Sequence, residues 1–129
     1  MLFRSHAVYV ENARGQLAVV LEADSGGDGA VKTYSAMGGE LVELSATADG
    51  KGTVATYSSL GRKLVELGAT VSGVGTLITH QSTGKKLVEL GATEEGGGIF
   101  VFNKTGEGIV TLQADDYGNG QVEIGRAHV

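Results

Sequence analysis

Hydrophobic and polar residues alternate along short stretches of this chain, and the alternating stretches return at a regular interval. Five copies share the form Val-x-Leu-x-Ala, and successive leucines are 23, 23, 23 and 22 residues apart. Residues two positions apart lie on the same face of a β-strand, so the pattern predicts five strands that each carry one apolar face. The residues of the three columns are Val19, Val42, Val65, Val88 and Val110, then Leu21, Leu44, Leu67, Leu90 and Leu112, then Ala23, Ala46, Ala69, Ala92 and Ala114.

A second strand is predicted in every copy, after a turn that begins with Asp or Thr and contains Gly-x-Gly. Glycine supplies positive φ in such turns, and Asp or Thr side chains bond to the turn backbone. The second strands are β-branched or aromatic and cover 31–33, 54–56, 77–79, 100–102 and 122–124. A further glycine turn returns the chain to the next copy. Residues 7–12, AVYVEN, look like a lone second strand, which brings the predicted total to about eleven strands.

The repeats divide the chain into a lead-in strand over 1–14 and a β-repeat domain over 15–129. The repeat units are 15–37, 38–60, 61–83, 84–105 and 106–129. We place the one missing residue of the fourth interval in the loop between Phe102 and Gly106. A deletion inside a strand would turn its side chains onto the wrong face, whereas loops tolerate deletions.

The predicted fold class is all-β, with the five two-strand repeats forming an elongated stack of hairpins. The alternative is a single-chain β-solenoid or β-roll, in which equivalent residues stack directly on one another. That arrangement would place Glu43, Glu66 and Glu89 in an exposed ladder of like charges, which is destabilising. Hairpins separate these glutamates, and the sequence therefore favours hairpins.

A single sheet of hairpins leaves its apolar face open, and repeat units of this kind need neighbours to cover that face. The neighbours can be other copies of the chain, since cyclic homo-oligomers are common. We therefore expect an intertwined homotrimer, in which three chains wrap their hairpins around one axis and hide the edges of the sheets.

Composition excludes several classes of function. The formal net charge is −5 and no basic run is present, so a nucleic acid is not an expected partner. Cysteine is absent, which excludes disulfides and thiolate metal sites. The longest interior apolar run, residues 17–21, is far too short to span a membrane, and the N-terminal residues make a poor signal peptide. The expected location is the cytoplasm or a phage or surface assembly.

Candidate metal ligands are few, and no cofactor is predicted. The glycine turns resemble calcium-binding β-roll turns, but their acidic residues do not repeat in register, so the turns are interpreted as tight hairpin turns. The remaining calcium candidates are Asp115 and Asp116 with Asn119. His80 stands where earlier copies have tyrosine, and three copies of His80 could meet on a trimer axis and bind a metal or an anion.

The expected function is a non-enzymatic structural or binding module, with itself as the main partner and a carbohydrate or a protein as a further ligand. The competing class is a carbohydrate-active enzyme or sugar-binding protein with sites in grooves between subunits. Its catalytic acids would come from the glutamate columns, because glycosidases need two carboxyl groups flanking a cleft. No Ser-His-Asp arrangement is visible.

The pattern G-[RK]-K-L-V-E-L-G-A-T-x-x-G-x-G, which extends in looser form over residues 15–129, resembles the glycine-punctuated β-hairpin repeats of trimeric fibres. Phage tail fibres and bacterial surface stalks are the examples. The resemblance implies a rigid spacer, adhesion or the presentation of a binding tip, and it implies no catalysis within the shaft.

Overall fold

The computed structural model describes residues 7–24, 26–93 and 95–125, and all of its regular structure is β-strand. Eleven strands form one sheet, and their order in the sheet is their order in the chain. The strands are β1 (Ala7–Glu11), β2 (Leu17–Ala23), β3 (Gly29–Tyr34), β4 (Glu40–Ala46), β5 (Gly52–Tyr57), β6 (Lys63–Ala69), β7 (Gly75–His80), β8 (Lys86–Ala92), β9 (Gly97–Phe102), β10 (Gly108–Ala114) and β11 (Gly120–Ile124).

Every pairing in the described residues is antiparallel and joins strands that are adjacent in the chain. The prediction of tandem hairpins is confirmed. The alternative of a single-chain solenoid is wrong, because a solenoid needs parallel pairing between equivalent strands. β1 (Ala7–Glu11) lies within the predicted lead-in segment 1–14, while residues 1–6 and 126–129 of the predicted domain ranges lie outside the described residues.

The turns lie at two ends of the sheet. End A consists of the turns 12–16, 35–39, 58–62, 81–85 and 103–107, and end B consists of the turns 24–28, 47–51, 70–74, 93–96 and 115–119. Nine of these turns share two backbone hydrogen bonds, as in 58–62, where Ser58 N donates to Arg62 O and Gly61 N donates to Ser58 O. Each of the nine has a glycine with positive φ at its fourth position, which is why the glycines recur so strictly in the sequence.

The tenth turn, 93–96, is the short one, and it corrects the predicted position of the missing residue. It has four residues, and Thr93 N donates to Gly96 O at 2.6 Å. Beyond it Leu90 pairs with Ile99, whereas the equivalent Leu67 pairs with Leu77 one residue further along. The spacing from Phe102 to Gly106 is therefore normal. Shortening the turn moves the whole of β9 by one residue, which its apolar residues on both faces tolerate.

Five of the ten strand pairs carry a register shift that the sequence analysis did not predict. Between β5 and β6, Tyr57 pairs with Lys63 and Thr56 pairs with Val65. Leu64 of β6 is therefore an extra residue with no partner position in β5. Such a bulge bends the strand locally and increases its twist. The signal for it was in the sequence, because two adjacent apolar residues interrupt the alternation at this point. The equivalent extra residues are Ala18, Leu41, Leu87 and Ile109.

Positive φ, and not lack of space, makes the turn glycines necessary. An added Cβ would meet nothing within 4 Å at Gly61, where φ is +71°, or at Gly52, where φ is not positive. We expect Gly61→Ala to lower the free energy of unfolding by about 1–2 kcal/mol. The matched change Gly52→Ala should be neutral or stabilising by up to about 1 kcal/mol. Urea unfolding at one fixed chain concentration measures both, and equal losses at the two sites would contradict this explanation.

Candidate functional site

Two rows of large residues run across all eleven strands on the apolar face of the sheet. The first row passes through Val42, Thr56 and Val65, and the second, here called the leucine row, passes through Leu44, Val54 and Leu67. The alanine column lies on the same face, where Ala46 pairs with Gly52, so the predicted sharing of one face by the Val, Leu and Ala columns is confirmed. The leucine row is open to solvent in the single chain, and the Leu67 residue is 49% exposed.

An open cavity of about 960 Å³ lies on this face between β6 and β11. Leucine and isoleucine side chains from consecutive strands line it, including Leu67, Leu90, Ile99 and Leu112. No residue that lines it is ionisable, and its polar residues, Thr76, Gln113 and Gln121, alternate along their strands with the leucine positions of the apolar face. An apolar concavity without acids or bases can bind apolar surface, but it offers no group for proton transfer.

The opposite face, here called the charged face, carries ion pairs between neighbouring strands. Lys32 Nζ lies 3.2 Å from a carboxylate oxygen of Glu22 and 3.9 Å from one of Glu43. The hydrogen bond that Lys32 donates to Glu22 is the main reason that the pKa of Lys32 is raised. The hydroxyl of Tyr57 donates to Glu43 at 2.9 Å, and burial followed by this hydrogen bond raises the pKa of Tyr57.

The glutamate columns lie on the charged face, as predicted, and they are paired with lysines. Lys63 Nζ is 2.9 Å from Glu66 and Lys86 Nζ is 2.8 Å from Glu89. Glu40 is different, because burial and the nearby Glu43 carboxylate raise the pKa of Glu40. None of these acids lines the apolar cavity.

The buried hydrophobic residues of the described chain are small and lie on the charged face. They are Val20, Ala30 and Ala55, of which Ala55 is 5% exposed. Ala55 pairs with Glu43 on one side and Glu66 on the other. The long charged side chains cover these small residues with their aliphatic portions. The apolar face has no equivalent cover.

His80 holds the position predicted for it and lies on the charged face. It pairs with Lys86, as Tyr57 pairs with Lys63 and Tyr34 with Glu40. Its Nδ1 is buried without a hydrogen-bond partner in the structure. An assembly that closes over the apolar face would point His80 away from its axis, so the predicted axial site at His80 and closure over the apolar face exclude each other.

Asp115 and Asp116 come together with Asn119 in one turn at end B. Asp115 Oδ1 accepts hydrogen bonds from the backbone N–H groups of Tyr117 at 3.0 Å and Asn119 at 2.8 Å, and its Oδ2 accepts a hydrogen bond from the side-chain amide of Asn119 at 3.2 Å. These bonds lower the pKa of Asp115 and use its carboxylate to close the turn. Within the described part of the chain, no group of three or more metal-ligating side chains is present. The turn geometry accounts for Asp115 without a cation.

The sequence matches no known protein-family model and no curated protein. Across the described residues, no helix is long and apolar enough to cross a membrane. The fold and the two faces are therefore the basis for assigning a function.

Proposed function

We propose that the chain is a non-enzymatic structural or binding module that covers its apolar face with copies of itself, in a homotrimer of three sheets. The observation that carries the proposal is the continuous open leucine row. It runs through every strand from Leu21 in β2 to Val122 in β11, and both of these residues are exposed.

The accessible surface of the chain supports this assembly. The chain exposes 9101 Å², whereas a compact monomer of 13.2 kDa exposes about 6,400 Å². The excess is about 2,700 Å² per chain. Obligate interfaces bury about 1,000–2,500 Å² or more on each partner. The excess surface is therefore of the size that an obligate interface covers.

The dimensions of the sheet fit a triangular prism with one sheet as each wall. If the strands run around the axis, each wall is as wide as a strand is long, and the seven residues of β6 make it about 23 Å wide. The centre of such a wall lies about 7 Å from the axis, close to the 5 Å that each of two packed sheets contributes. Val65 and Leu67 flank the middle of the strand, and the smaller Ala69 lies where the prism narrows. Large side chains are thus at the centre and small ones near a corner.

The ionisable groups support a structural role over an enzymatic one. The glutamates of the charged face face outward in this assembly and are paired with lysines, while the cavity on the apolar face contains no acid or base. The resemblance to trimeric fibres agrees with a spacer or presentation role. A carbohydrate-active site between subunits stays a prediction without a supporting carboxyl pair.

Solvent access to leucine methyl groups tests the proposal directly. We expect the methyl groups of Leu44 and Leu67 to be protected from a soluble paramagnetic agent in the purified protein. Ile78, which pairs with Glu66 on the charged face and is partly exposed away from both turn ends, is the internal control and should be relaxed. Relaxation of Leu67 as strong as that of Ile78 would show that the apolar face is open in solution and would overturn the proposal.

A further inference from the structure

The two turn ends of the sheet carry opposite charge. Among the described residues of the end A turns there are four basic residues and one acidic residue. They are Arg14, Arg62, Lys85, Lys104 and Glu107. Among the described residues of the end B turns there are six acidic residues and one basic residue. They are Asp24, Asp28, Asp49, Glu95, Asp115, Asp116 and Lys51.

The basic groups at end A are held along the edge by bonds to the neighbouring turn. Arg62 Nη1 donates to the carbonyl oxygen of Ser82, and Lys85 Nζ donates to the carbonyl oxygen of Thr105 at 2.9 Å. These hydrogen-bond partners are neutral carbonyl groups, and the acidic residue of end A, Glu107, interacts electrostatically with Lys85, so four basic residues against one acidic residue leave the end with a net positive charge. The end therefore presents a fixed row of positive charge to any surface that approaches it.

The symmetry of a closed trimer determines which ends meet. When the three-fold axis runs across the strands, each corner of the prism brings end A of one chain to end B of the next, because cyclic contacts are heterologous. In two other arrangements, end A of one chain lies beside end A of the next, and end B beside end B. These are a three-fold axis along the strands and a pair of sheets related by a two-fold axis parallel to the strands. Opposite charge on the two ends favours the first arrangement and opposes the others.

A level is defined here by the strand that an end A turn and the following end B turn both adjoin. The charges match at the levels of β2, β4 and β8 but not at β10 or at β6, where Arg62 lies opposite the uncharged turn 70–74. At the level of β4, the turn 35–39 of end A and the turn 47–51 of end B lie within about one strand spacing of each other. The first contains no charged residue, and in the second Asp49 and Lys51 neutralise each other at 2.6 Å. Charged turns at both ends lie at the level of β8, where Lys85 and Glu95 are found.

We propose that end A of one chain docks on end B of a second copy, so that the trimer axis runs across the strands and each corner is a contact between basic and acidic turns. This inference rests on the proposed trimer and adds its orientation. The partner at each turn end is then another copy of this chain.

Cross-linking between introduced cysteines tests the orientation, since the natural chain has no cysteine. Met37→Cys places a thiol at end A, where Met37 is 97% exposed, and Ala48→Cys places one at the exposed level-matched turn of end B. Within one chain these positions are separated by the length of β4, about 23 Å. A bismaleimide linker shorter than half that length therefore links them only between chains.

The double variant Met37→Cys/Ala48→Cys is expected to give covalent trimers, and neither single variant should cross-link. Cross-linking of either single variant with itself, in a sample whose mass is that of a trimer, would overturn the inference and leave the proposed assembly standing. No cross-linking of the double variant in such a trimer would also overturn the inference. A monomeric mass would instead overturn the proposed function.

A charge exchange provides an independent test. Lys85→Glu and Glu95→Lys should each raise the concentration at which half the trimer dissociates, by up to about fivefold per corner. The double exchange should restore the original value, because the two side chains face each other only between chains. Losses that add, with no restoration, would contradict contact between the two ends.

Discussion

Leu67→Asp is expected to convert the assembly into single chains. In the assembled form Leu67 packs inside the prism, where an unpaired carboxylate costs several kcal/mol for each chain that carries it. Size-exclusion chromatography with light scattering measures the result. Val65→Asp, in the neighbouring column, should have the same effect.

The matched control is Glu66→Gln, one position away on the charged face. Glu66 is partly exposed and its ion pair with Lys63 is a surface pair, so its loss should cost less than about 1 kcal/mol and leave the mass unchanged. If Glu66→Gln dissociated the assembly and Leu67→Asp did not, the assignment of the two faces would be wrong.

The second large effect on stability is expected at Ala55, where an introduced negative charge and an introduced positive charge should give different results. Ala55→Asp is expected to lower the free energy of unfolding by about 3 kcal/mol, because it buries a carboxylate between Glu43 and Glu66. Ala55→Lys should stay within about 1 kcal/mol of the natural chain. Lys32 occupies the equivalent position in β3, where it pairs with Glu22 and Glu43.

Urea unfolding of the two Ala55 variants at neutral pH measures the difference. The loss caused by Ala55→Asp should shrink as the pH falls and the introduced carboxyl group becomes protonated. If the lysine and aspartate variants were equally destabilised, size and not charge would control this site, and the charged face would not be the ion-paired layer described above.

The repeat made most of the fold predictable from sequence. Five copies of one alternating pattern specify both which residues share a face and where the positive-φ glycines lie, because each copy must form the same strands and the same turns. Antiparallel hairpins followed from the charge argument about Glu43, Glu66 and Glu89. The sequence could not place the missing residue, since Ile99, Phe100, Val101 and Phe102 are apolar on both faces and fit either register.

The distribution of burial was less predictable. Counting apolar columns identifies the surface that must be covered, but it does not show that Ala55 is buried by its charged neighbours. That burial depends on the reach of long glutamate and lysine side chains across adjacent strands. His80 illustrates the same limit, because its column was evident from the sequence, whereas its face relative to the apolar rows required the register of β7 and β8.

The mass of the protein in solution tests the central claim most directly. Light scattering on a sizing column should give about 40 kDa, three times the 13.2 kDa of one chain, with no change on dilution through the micromolar range. A mass of one chain at these concentrations would contradict the account, because the apolar face would then have no copy of the chain to cover it.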